Sequence, residues 1–87
     1  MPEISRFFGI IIYMFFKDHA PPHFHVKYGD YNAIIDIENA EIIDGYIPLK
    51  QLKLVQAWAI IHKEELVNNF NALSSDTPSY SKINPLS

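Results

Sequence analysis

Apolar positions along the chain change their spacing twice, and each change marks a different kind of element. From Phe7 to Phe16 (FFGIIIYMFF) they are almost continuous, and the whole stretch from residue 4 to residue 16 is rich in β-branched and aromatic side chains, the composition of a strand. Phe8, Ile10, Ile12, Met14 and Phe16 fall on one face of such a strand, and Phe7, Ile11, Tyr13 and Phe15 on the other. A strand apolar on both faces is expected at the centre of a sheet, covered twice; in so small a domain the second cover is expected from another chain. Gly9 is read as a bulge or bend within it. After Pro21-Pro22 the period becomes two, with Phe24, Val26 and Tyr28 alternating with His23, His25 and Lys27. Gly29-Asp30 has the form of a two-residue hairpin loop, with glycine where a type II′ turn needs it, and residues 31–37 return as the partner strand. That loop fixes a register. Tyr28 faces Tyr31, Val26 faces Ala33 and Phe24 faces Ile35 on one side; Lys27 faces Asn32, His25 faces Ile34 and His23 faces Asp36 on the other. Residues 38–40 turn the chain again, and residues 41–44 form a short fourth strand ended by Gly45, its acidic edge solvated.

Pro48 suits the first turn of a helix, and the spacing predicts one helix from residue 49 to about residue 73. Leu52, Val55, Ala59, Leu66, Phe70 and Leu73 share one stripe that packs on the sheet. A second line holds Leu54, Trp58 and Ile61: either a subunit or partner contact, or the sign of a fold that wraps more of the helix. Residues 74–79 read as a loop, and residues 82–86 regain apolar character and are expected to dock back. The predicted fold is α+β, a small antiparallel sheet of three to four strands with one long C-terminal helix packed on it. It is a single domain: residues 1–47 β-rich, 48–74 helix, 75–87 tail.

Eighty-seven residues with 48% hydrophobic and 14% aromatic content allow a real core in a size range where stability depends on it. The net charge of −3 speaks against a broad basic surface for nucleic acid, though not against a small local one. The chain has no cysteine, which excludes disulfides, thiolate metal sites and thiol nucleophiles and fits a reducing cytoplasm. The ten apolar residues at 7–16 are too short to span a bilayer as a helix, which needs about 20, and lack a small-residue cleavage site. No membrane role is expected.

Chemistry concentrates between residues 18 and 26. His19, His23 and His25 lie within seven residues, and His23 and His25, two apart, point to one face of a strand. Three uses stay open. With His19, Asp36 or His62 added, they could ligate a divalent metal; no other cofactor is expected. With Asp36 orienting His23, and Arg6 or Lys27 receiving phosphate, they could form an acid–base centre for metal-independent RNA cleavage. Or they simply meet water on a polar sheet face. His62, one turn before Glu65, projects at the edge of the helical stripe; a structural role at the core rim competes with a place over the sheet. No glycine-rich phosphate loop, nucleophile elbow, HExxH helix or paired-carboxylate motif is present.

Read together, Met1-Pro2-Glu3-Ile4-Ser5-Arg6-Phe7, Gly9-Ile10, Asp18-His19-x-Pro21-Pro22-His23-Phe24-His25-Val26, Gly45-x-Ile47-Pro48, Trp58-x3-His62-x2-Glu65-Leu66 and Ile83-x-Pro85-Leu86 resemble a bacterial domain-of-unknown-function family of short stand-alone proteins. Its members are often encoded beside a second small domain and sometimes labelled toxin–antitoxin components. Arg6, Asp18, His19, Pro21, Pro22, His23, His25, Trp58, His62 and Glu65 match its pattern. Taken with the residue reading above, the leading expectation is a component of a two-gene module acting on RNA or a translation-related target, with His23, His25, His62, Asp36 and Arg6 as catalytic candidates and His23, His25 and His19 as metal candidates. The alternatives are a non-catalytic interaction module, a homodimer or the binder of a small partner encoded nearby, with Trp58 as its anchor, and a divalent metal-binding domain.

Overall fold

The computed structural model describes all residues 1–87. Five strands form one antiparallel sheet in sequence order: β1 (Glu3–Phe7), β2 (Ile10–Tyr13), β3 (His23–Tyr28), β4 (Tyr31–Asp36) and β5 (Ile42–Tyr46). Two helices follow, α1 (Leu49–Ile61) and α2 (Lys63–Leu73). The α+β class is as expected, but the sheet has five strands where three or four were predicted, and the single long helix is two.

The fifth strand comes from the apolar run at residues 4–16. It is a hairpin rather than one central strand, with Phe7 opposite Ile10. Phe8 and Gly9 both take positive φ, 49° and 77°, as both central residues of a type I′ turn must. Phe8 is not a residue that advertises this conformation, so the turn was hidden inside an apolar sequence. The turn also changes the facing of the run: Ile4, Phe7, Ile10, Ile12 and Met14 are buried, while Phe8 and Phe16 are exposed. The second hairpin keeps the register read from its loop, from Tyr28 opposite Tyr31 to His23 opposite Asp36, and Gly29 takes the positive φ of 57° that its place in the turn requires.

Phe24, Val26, Ala33 and Ile35 on the inner sheet face bury against Val55, Trp58, Ala59, Leu66, Phe70 and Leu73 of the helices. Most of the predicted stripe is therefore the packed one. Trp58 belongs to it: its ring lies 5.5 Å from Phe7 and 5.9 Å from Phe24, and its Nε1–H donates to the Asn84 carbonyl at 2.8 Å. It is wholly buried and so is not an exposed interface anchor; the fold wraps more of the helix than one stripe. Ile61 stays exposed.

The helix breaks at His62 (φ −108°, ψ 25°), which ends α1 and begins α2. The tail docks as expected: Ile83 is buried, its N–H donates to the Ile4 carbonyl at 2.9 Å, and buried Asn69 bonds both the N–H and the C=O of Ser81. No helix is long and apolar enough to cross a membrane.

Candidate functional site: an aspartate bridging two histidines

Between β2 and β3 the chain makes a nine-residue excursion that returns Asp18 to the start of β3. Three bonds pin it: Met14 N–H to the Pro2 carbonyl, Lys17 N–H to the Leu73 carbonyl, and Ile37 N–H to the Pro22 carbonyl, at 3.0, 3.1 and 3.0 Å. Pro21 is joined to Ala20 by a cis peptide bond, and Pro21-Pro22 leads directly into β3.

Asp18 Oδ2 lies 2.8 Å from His23 Nε2 and 3.1 Å from His25 Nε2, and its Oδ1 accepts the His19 N–H at 2.9 Å. One ligand atom from each of Asp18, His23 and His25 falls within 4.8 Å of the others. The spacing of two between the histidines thus delivers both rings to one carboxylate. His23 is the inner member, 2% exposed. Its Nδ1 is 2.6 Å from the Pro21 carbonyl oxygen; a carbonyl only accepts, so Nδ1 carries hydrogen and Nε2 is the atom aimed at Asp18. The ring packs 5.7 Å from Phe70 on α2. His25, the outer member, stacks on Tyr13 at 5.2 Å and meets the edge of Phe15 at 4.5 Å.

Burial pushes the Asp18 carboxyl up. The hydrogen bond from His25, the His19 backbone N–H and the nearby His23 charge outweigh it, and the carboxyl is held below its ordinary value. Asp18 is therefore a carboxylate at neutral pH.

His25 opens onto the sheet face that no helix covers, where a depression of about 260 Å³ is lined by Tyr13, His25, Asn32, Ile34 and Asp44 among others. On this face Arg6 and Lys27 both lie opposite Ile11, one on each neighbouring strand. Arg6 is partly engaged by Glu3, at 2.8 Å. The guanidinium holds the Glu3 carboxyl below its ordinary value, against slight desolvation, with smaller help from Lys82; Arg6 is raised in turn, mainly by the same bond.

Three other candidates are placed elsewhere. Asp36 sits opposite His23 in the ladder, but the expected contact is absent: its carboxylate accepts the N–H groups of Asn39 and Glu41 at 3.2 and 2.8 Å. A cross-strand position puts Cβ atoms side by side, and the Asp36 oxygens turn to the unpaired amides of the next loop instead. His62 does not join the cluster; its Nδ1 is 2.6 Å from Glu65 Oε1 and its ring rests 5.6 Å from Trp58, the core-rim role. His19 borders the cluster, its ring 5.4 Å from that of His23, but its side chain is 86% exposed and its Nε2 is 3.8 Å from Asp18 Oδ1. Asp18 is the residue that sequence reasoning left out of the site. The signal for it was its place at the head of the D-H-x-P-P-H-F-H string, five residues before His23 across a proline turn.

The family model for the domain of unknown function DUF4160 matches residues 9–71, a span that holds Asp18 and all four histidines. The chain belongs to this family. No curated protein and no solved structure matches it.

Proposed function

We propose that this protein is one component of a two-gene module of toxin–antitoxin type, that its target is RNA, and that the Asp18–His23–His25 cluster is its chemical centre. The observation that carries this is a single carboxylate oxygen within 2.8 and 3.1 Å of two imidazole nitrogens, at the rim of a sheet face that also presents two cations. Cleavage of a phosphodiester needs a group that takes the proton of the attacking hydroxyl and a cation beside the phosphate. The cluster serves the first need; Lys27 and Arg6, across the open face, serve the second. Tyr13 and Phe15 beside His25 offer rings on which a base can stack.

The test is RNA cleavage by the untagged protein and its variants. His25→Ala is expected to lower the rate by about 100-fold or more, and Lys27→Ala to weaken binding with a smaller effect on the bound rate. Retained cleavage in both His23→Ala and His25→Ala would sink the enzymatic assignment.

A non-catalytic interaction module is favoured by a different observation. β5 is a free edge on which Ile43 is 51% and Tyr46 60% exposed, a surface suited to a second strand. Light scattering on the protein alone and co-expressed with its neighbour checks this; a strict monomer that binds no neighbour removes the support.

A further inference from the structure

We infer that Asp18 Oδ2, His23 Nε2 and His25 Nε2 form a binding site for one divalent first-row transition-metal ion. The inference uses the cluster assigned above but not the choice of RNA as target.

The geometry supports it first. Two ligands about 2.1 Å from an ion and about 90° apart are about 3.0 Å from each other. The Asp18 oxygen stands 2.8 and 3.1 Å from the two nitrogens, and all three atoms lie within 4.8 Å of one another, so one ion reaches all three with little movement.

The surroundings supply what a metal site needs behind its ligands. His23 gives its Nδ1 hydrogen to the Pro21 carbonyl at 2.6 Å, which leaves the Nε2 lone pair for the ion; a ligating histidine is commonly fixed in this way by its other nitrogen. Asp18 is held through its second oxygen by the His19 N–H. Phe15 and Phe70 pack on the two rings and restrict their rotation. With Nε2 of both histidines deprotonated, the three inward atoms turn lone pairs on one point, where a cation takes the place of the hydrogens that otherwise bridge them.

The ligand set narrows the ion. Two imidazoles and one carboxylate suit zinc, iron(II), cobalt(II) or manganese(II) rather than calcium or magnesium, which take oxygen ligands. Three protein ligands leave further positions open on the side of the uncovered sheet face, as in catalytic rather than structural sites. His19, exposed and bonded to its neighbour's carbonyl, is not required.

The experiment is calorimetric titration of the untagged, chelator-treated protein with zinc(II) and with cobalt(II), the latter also followed by its visible spectrum. One ion per chain is expected to bind. His25→Ala and Asp18→Asn should each weaken uptake by about 100-fold or more, while His19→Ala and His62→Ala leave it within about threefold. Circular dichroism confirms that each variant is folded, which matters most for buried His23. Because a variant can misfold, ¹⁵N chemical shifts of the unmodified protein give a second readout: zinc should move Nε2, not Nδ1, of both His23 and His25. Uptake below one ion per chain, uptake unchanged in both His25→Ala and Asp18→Asn, or shifts confined to His19 would each overturn the assignment. Ion binding without RNA cleavage would remove the RNA target and leave the metal site; RNA cleavage without ion binding would do the reverse.

Discussion

Asp18 and Asp36 are both aspartates within reach of His23 along the chain or across the ladder, and they do different work. Asp36 caps a loop through two backbone amides; Asp18 holds two imidazoles. The two roles separate by mutation. Asp36→Ala is expected to cost about 1–3 kcal/mol, the loss of two charge-assisted bonds in a partly exposed turn, and to leave the proposed ion uptake and RNA cleavage per folded molecule unchanged; chemical denaturation and activity assays check both. Asp18→Asn should do the opposite, sparing most of the stability and removing function. Glu3, the partner of Arg6, gives a pH test outside the aspartate–histidine cluster. Its folded-state value lies below the ordinary one because of the Arg6 bond, so its contribution to stability is present above the ordinary glutamate value and is lost as the pH falls through the folded value. Arg6→Gln should return the Glu3 carboxyl toward its ordinary value in an NMR titration and flatten that part of the acid-side stability loss.

At the scale of elements, the strand and hairpin patterns were readable where a turn residue announced itself. Gly29-Asp30 gave the β3–β4 register, and it is the one found. The Phe8-Gly9 turn was not readable, because a phenylalanine in the left-handed region carries no turn signal and the residues around it are apolar on both sides. Gly45 is a further case. Its place after residues 41–44 predicts the end of a strand, but it lies inside β5 with φ +81°, opposite Ala33. A Cβ there would sit 2.3 Å from the Asn32 carbonyl oxygen and 2.8 Å from Ala33 Cα, contacts to backbone that a rotamer change cannot relieve. Gly45→Ala is therefore expected to lower stability by about 2–4 kcal/mol, combining the strained φ with displacement of the β4–β5 pair; a loss under about 0.5 kcal/mol in urea denaturation would contradict the close approach. The helix break at His62 is likewise invisible to a 100° projection, since the residues on either side continue the same apolar stripe.

For the whole molecule, the tail closes the fold. Asn69, 5% exposed, exchanges two hydrogen bonds with the Ser81 backbone, and Ile83 and the Asn84 carbonyl complete the cover over Ile4 and Trp58. Asn69→Ala removes both bonds that tie this buried side chain to the Ser81 backbone and should cost about 1–3 kcal/mol. Limited proteolysis should then cut within residues 75–82 faster than in the unaltered protein, whereas an unchanged cutting rate would mean the tail is held by other contacts. By itself the sequence determined the α+β class, the β3–β4 register, the core stripe of the helices and the same-face placing of His23 and His25, because period, turn chemistry and strand pleat are local properties. Only the tertiary structure decided the fifth strand, the break at His62, the burial of Trp58 and the choice of Asp18 over Asp36 and His62 as the partner of the histidines. Each of these depends on where a loop returns or what packs across a layer, and distances between elements far apart in the chain are set by packing, not by spacing along it.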